Sequence, residues 1–223
     1  DNFPRNDFWL AVFIWVVPTM KQLSSANFQS FFILILLSGA SFSSVKAAEP
    51  GTLDLANLQN YANQPVPKYI NATPGKVKDN TGENPITDIG ATLGRVLFYD
   101  KNLSTTNTVS CASCHQQEKA FSDPAQKSQG VAGQTARHSP RLINARFSEE
   151  TRFRWDEAAG TLEEQMTTPV RNPVEIGYSG ADGNPTFKEL ITKLEGVKYY
   201  AALFNLAFGD PEITEKRMQL ALA

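Results

Sequence analysis

Cysteine and histidine are scarce in this chain, with two of each among 223 residues, and there are only three methionines. No lysine- or arginine-rich run occurs, and the net charge of −2 with a pI near 5.8 gives no electrostatic footprint for nucleic acid. No internal repeat and no low-complexity tract is present, because the 13 prolines and 14 glycines are spread along the chain. No apolar run matches a bilayer core of about 30 Å: Phe31 to Leu37 is unbroken but short. No alternating pattern of useful length marks a strand, so the expected fold is mainly α. What remains is an ordinary globular composition, 41% hydrophobic and 20% charged. That supports one domain with a real core or two small ones.

The first fifty residues read as targeting rather than fold. From Met20, Lys21 supplies a positive start, Phe31 to Leu37 an apolar centre, and Val45-Lys46-Ala47 small residues at −3 and −1 of a cleavage site. Residues 20–47 are therefore expected to be a secretory signal peptide. No membrane span is expected after its removal, and no cysteine near the leader points to a lipoprotein. Residues 1–19 precede that methionine and are set aside as an upstream segment. Residues 48–90, rich in Pro, Asn, Gly and Thr, read as an extended arm with turns.

Helical spacing begins after Thr87, where Ile89, Leu93, Val96 and Leu97 share a face. Short helices are predicted in "SPRLINARF", with Pro140 in its first turn, and in "TLEEQMTTPV", capped by Thr161. "NPTFKELITKL" is predicted to start with Asn184 as cap, "KYYAALFNLAF" follows, and "TEKRMQLALA" starts at Thr214. Residues 116–141 read as loop, with Gly130 and Gly133 as hinges.

All the cysteine lies in "SCASCHQQ". Cys111, Cys114 and His115 form C-x-x-C-H, the signature of covalent c-type haem attachment. Two thiols on one tight helical turn can add to the two vinyl groups of one haem, and the next imidazole then reaches the iron. The alternatives are a disulfide-exchange pair, which wants an αβ context, and a zinc site, for which only His115 and His138 could join the thiols. A haem alone does not choose a function. An electron carrier would need a sixth ligand, and Met166 or His138 could serve.

Four blocks, "GRVLFYDKNLS", "SCASCHQQEKAFSD", "GVAGQTARHSPRLINARF" and "FRWDEAAGTLEEQMTTPVRNPVEIGYS", resemble the bacterial di-haem cytochrome c peroxidases, a group that includes the MauG-like enzymes. The resemblance runs from about Leu93 to the end and covers the first, peroxidatic haem domain. It implies a cytochrome c-like fold over 91–212, and a helix from 213 that leads towards a second haem domain. In the family a Trp precedes a distal Gln by ten residues; here Trp155 precedes Gln165 by ten, and Glu175 follows by ten. The resemblance implies Gln165 and Glu175 as distal catalytic residues and Trp155 on an electron path. Without it, the first two read as solvated polar residues near Pro169 and Pro173, and Trp155 as core. The implied reaction is periplasmic reduction of hydrogen peroxide with electrons from a cytochrome c or a copper protein. A MauG-like oxidation of a protein substrate is the variant reading, and a homodimer is open.

Departures matter too. Many members carry a removable iron-ligating histidine in the glycine loop, where this chain has Val131. His138 stands where the family often has the Asn linked to an interdomain calcium site, so the calcium pattern is broken. The family's W-D-G-R-A reads Trp155-Asp156-Glu157-Ala158-Ala159, without its Arg. Only one C-x-x-C-H is present where the family has two, so a second haem is expected beyond this chain.

Overall fold

A computed structural model describes residues 53–66, 68–71, 79, 82–148 and 152–223. The expected signal peptide and the segment before it lie outside the described residues. Ahead of the main fold, residues 53–66 hold only turns, followed by the single helical turn α1, Lys68–Asn71.

The frame is helical: α2 is Asp88–Tyr99, α3 Cys111–Cys114, α4 Leu162–Thr167, α5 Phe187–Glu195, α6 Lys198–Phe208 and α7 Glu215–Leu222. The only sheet among the described residues is an antiparallel pair, β1 Gln129–Gly130 with β2 Gly133–Gln134. Mainly α with long loops is therefore the observed class. Threonine hydroxyls start the helices by taking an orphan N–H: Thr87 from Gly90 at 3.0 Å, Thr161 from Glu164 at 3.1 Å and Thr214 from Arg217 at 3.2 Å.

Two predicted starts are corrected. α5 begins two residues later than expected, because Thr186 and Glu189 form a reciprocal capping box. Asn184 instead closes the preceding turn on the carbonyl of Ala181 at 3.0 Å. "SPRLINARF" forms no α-helix; only a 3₁₀ turn at Ala145–Phe147 remains. Side chains have taken its backbone: Ser122 Oγ donates to the Ser139 carbonyl at 2.8 Å, and Trp155 Nε1 to the His138 carbonyl at 2.7 Å. Asn144, at φ 58°, then turns the chain out of helical space.

α2 is the spine of the core. Leu93 and Leu97 are fully buried against Leu190 and Leu194 of α5, Tyr200 and Phe204 of α6, and Met218 of α7. Gly94 allows α7 to lie directly on α2, since a Cβ there would sit 1.8 Å from the Ala221 carbonyl oxygen. The apolar end of α7 is thus packed inward. Met218 lies in the core cluster, and Ala221 and Leu222, half-buried, pack against it. Among the described residues no helix is long and apolar enough to cross a membrane.

Candidate haem site

Ser110 caps α3 with a capping box to Ser113, so Cys111 and Cys114 stand one helical turn apart and His115 ends the turn. Both cysteines are free thiols, half-buried. Burial pushes the Cys111 thiol up to about 12. Burial also raises Cys114, against a hydrogen bond from Ser128 and reinforced by the charges of Asp123 and Glu175. A thiol whose pKa is raised by burial is a poor exchange nucleophile. Among the described residues no three His, Cys, Asp or Glu side chains converge as a metal cluster, so neither the zinc nor the exchange alternative gains support.

His115 is aimed by the chain that follows it. Ala120 and Phe121 both adopt left-handed backbone, φ 60° and 55°, a costly pair for non-glycine residues. The turn brings Phe121 N–H to the Gln116 carbonyl at 2.8 Å, and the Phe121 carbonyl to His115 Nδ1 at 2.9 Å. A carbonyl partner requires a proton on Nδ1, which leaves Nε2 with its lone pair. Burial lowers the imidazole's pKa, against the Phe121 and Pro140 carbonyls and the Asp123 charge, and so favours the neutral ligand form. Phe98 lies beside the ring, 6.5 Å between centroids. Two thiols on one turn and a neutral, oriented imidazole fit a covalently held haem.

Glu175 sits in the turn after α4. Its carboxyl is half-buried, and burial raises its pKa against the lowering charge of Arg154. Asn172 Nδ2 donates to its Oε1 at 2.6 Å. The β1–β2 turn packs onto the same backbone: Val131 N–H donates to the Glu175 carbonyl at 3.1 Å, and Ala132 N–H to the Val174 carbonyl at 3.2 Å. Gly130 is required there, since a Cβ would meet the Val174 carbonyl oxygen at 2.1 Å.

Gln165 lies in α4, and its Oε1 is buried with no hydrogen-bond partner among the described residues. A buried acceptor left unpaired is costly, and a bound molecule that donates a hydrogen bond would relieve it. Met166 follows it, half-buried. His138 has both ring nitrogens engaged, Nε2 with Ser122 Oγ and Nδ1 with the Ala125 carbonyl, each at 3.0 Å. It is bound into the loop and has no free nitrogen for iron.

Trp155 is 61% exposed, which removes the core-filler alternative. It borders an open surface hollow of about 400 Å³ with Lys127, Arg137 and His138. Among the described residues no hydrogen bond links Trp155 to Gln165 or Glu175; its neighbour Arg154 is the residue that acts on Glu175. Asn172 and Arg154 were not among the expected site residues. Asn-Pro just before Glu175 is a turn signal that points to the first. Nothing in the sequence singles out the second.

Residues 89–223 match the family described as di-haem cytochrome c peroxidase. The methylamine utilization protein MauG of Methylophilus methylotrophus is 34% identical over 63% of this chain and 39% of its own length. The cytochrome c peroxidase Ccp of Escherichia coli (strain K12) is 36% identical over 46% of this chain and 21% of its own. The chain therefore spans well under half the length of these curated relatives. Among solved structures, a MauG-like protein associated with microbial copper homeostasis is 32% identical, with a TM-score of 0.56, over 72% of this chain and 44% of that one.

Proposed function

The chain belongs to the di-haem cytochrome c peroxidase family, and from that premise we propose that it is a periplasmic c-type haem peroxidase domain that reduces hydrogen peroxide to water. A covalently bound c-type haem is what the family implies. Cys111 and Cys114 would hold it as thioethers, and His115 Nε2 would bind its iron. When bound, it supplies the iron that exchanges electrons with peroxide. The carbonyl of Phe121 keeps the His115 ring in one orientation and one tautomer.

The observation that carries the reading is Glu175. It is a half-buried carboxyl with a raised pKa and one oxygen tied to Asn172. Such a group can take a proton from one peroxide oxygen and return it to the other as the O–O bond breaks. Gln165 Oε1, buried and unpaired, is matched to the O–H of peroxide and would orient it. Trp155, exposed beside Arg137 and His138, suits an electron path across the surface to a second haem. These 223 residues hold one C-x-x-C-H, so that electron would come from outside them. The donor would be a small redox protein, a cytochrome c or a copper protein.

The test is to mix the haem-loaded chain with hydrogen peroxide and a reduced cytochrome c, and to follow both peroxide loss and donor oxidation. Donor oxidation that depends on peroxide supports the reading. Electron exchange with the donor and no peroxide loss would instead identify an electron carrier. The similarity to MauG supports a second reading, oxidation of a protein substrate. Peroxide loss coupled to oxidised side chains on a partner protein, rather than to donor turnover, would favour it.

A further inference from the structure

Asn172 opens the turn that carries Glu175, and both ends of its side-chain amide are engaged. Oδ1 accepts the N–H of Val174 at 2.9 Å and that of Glu175 at 3.4 Å. Its backbone carbonyl accepts the Gly177 N–H at 2.9 Å. With the amide oxygen engaged by backbone donors, the amide cannot flip, and Nδ2 is the end that faces the carboxyl. Nδ2 donates to Glu175 Oε1 at 2.6 Å. An amide N–H only donates, so Oε1 is held as an acceptor in this contact. No hydrogen bond to Oε2 occurs among the described residues.

We propose that Asn172 is a positioning residue for the peroxide reaction: it ties Oε1 of Glu175, so that Oε2 alone exchanges the proton with substrate. The inference rests on the reading of Glu175 given above. The groups that act on this carboxyl are few. Arg154 bears on it from the 152–160 segment, and the Cys114 thiol lies within its field from α3. The β1–β2 turn packed on it contributes Gly130, Val131 and Ala132, none of which titrates. A donor to the ionised form offsets part of the burial that disfavours it. Asn172 therefore sets both the direction of the carboxyl and the pH range in which it can act as a base.

Asn172→Asp, made in the haem-loaded full chain, keeps an oxygen for the two backbone N–H groups and turns a carboxylate oxygen towards Glu175. Like charges in contact make ionisation harder. The acid limb of the peroxide rate should move up by about one pH unit, a roughly fivefold loss at the wild-type midpoint. A second readout does not need turnover: the infrared carboxyl band that Glu175→Gln abolishes should titrate at higher pH in Asn172→Asp. Asn172→Ser, with a hydroxyl for the backbone and no reach to Oε1, should shift both in the same direction by less. A folded variant with altered thermal stability but an unmoved limb and band would show a merely structural role and overturn the proposal. If Glu175→Gln keeps the full peroxide rate, the reading of the site fails, while the infrared titration still decides on Asn172. Should neither variant fold, the wild-type band decides. Unequal carboxylate oxygens support the proposal, and a symmetric carboxylate overturns it.

Discussion

Val131 donates its backbone N–H to the carbonyl oxygen of Glu175 across 3.1 Å. Its side chain is half-buried, packed against the core beside Gly177, where the Val131 Cγ2 atom lies 3.1 Å from the position a Cβ would take. The β1–β2 turn is thereby joined to the backbone of the proposed acid-base residue, and the Val131 side chain faces protein.

With Val131 turned into the core and both nitrogens of His138 engaged, the ferric haem-loaded chain should bind cyanide without prior reduction. Optical titration checks this. His138→Ala should leave the cyanide affinity within about twofold. A resting spectrum that is fully low-spin and unreactive to cyanide would refute it, and recovery in Met166→Leu would make Met166 the sixth ligand.

Glu175→Gln should slow peroxide consumption by about 10² to 10⁴-fold, the range of a positioned acid-base group. Haem content should be unchanged. Gln165→Leu removes one oriented dipole and should cost about 10² to 10³-fold. Stopped-flow rates at equal haem concentration are the measurement, and losses under about threefold would reduce both to structural residues.

The same Glu175→Gln change should leave stability unchanged or raised at neutral pH. Burial raises the folded pKa of Glu175 above its unfolded value, so the folded state binds the proton more tightly. Stability from this group is therefore full below the unfolded pKa and is lost as pH rises through the folded pKa. Thermal midpoints of wild type and variant should converge near pH 4 and separate in the variant's favour at pH 7. A variant that melts lower at pH 7 than at pH 4, relative to wild type, would contradict the sign.

Gly94→Ala tests the packing of α7 on α2. The added methyl would overlap the Ala221 carbonyl, and backbone cannot yield as a side-chain tip can. Overpacking of this kind costs about 1–3 kcal/mol. A urea midpoint equal to that of wild type would mean that α7 does not sit on α2.

Much of this fold is legible in the sequence, and the legible part is local. Thr87, Thr161 and Thr214 cap the helices they precede, because a cap is a contact over three residues and needs no other part of the fold. The placing of Cys111, Cys114 and His115 on one turn is equally local. Where a prediction slipped, a better local competitor or a distant partner had won. Thr186 with Glu189 outcompeted Asn184 as a cap. Ser122 took the Ser139 carbonyl that a helix entered at Pro140 would have used for its first bond, and Trp155 fixed the His138 carbonyl just before it.

The amino-acid sequence by itself determined the haem-binding pattern and the helical class, since these follow from residue type and spacing, while Gln165 and Glu175 stood out only through the family resemblance. Only the tertiary structure decided what surrounds them. It packed α7 against Gly94 with Met218 in the core, gave Trp155 to solvent and closed both nitrogens of His138. It left Gln165 Oε1 without a partner and set Asn172 against Glu175. The reason is physical: desolvation and unsatisfied polar atoms are properties of a group's surroundings. Those surroundings come from segments that are remote in the chain and meet only when the core has formed.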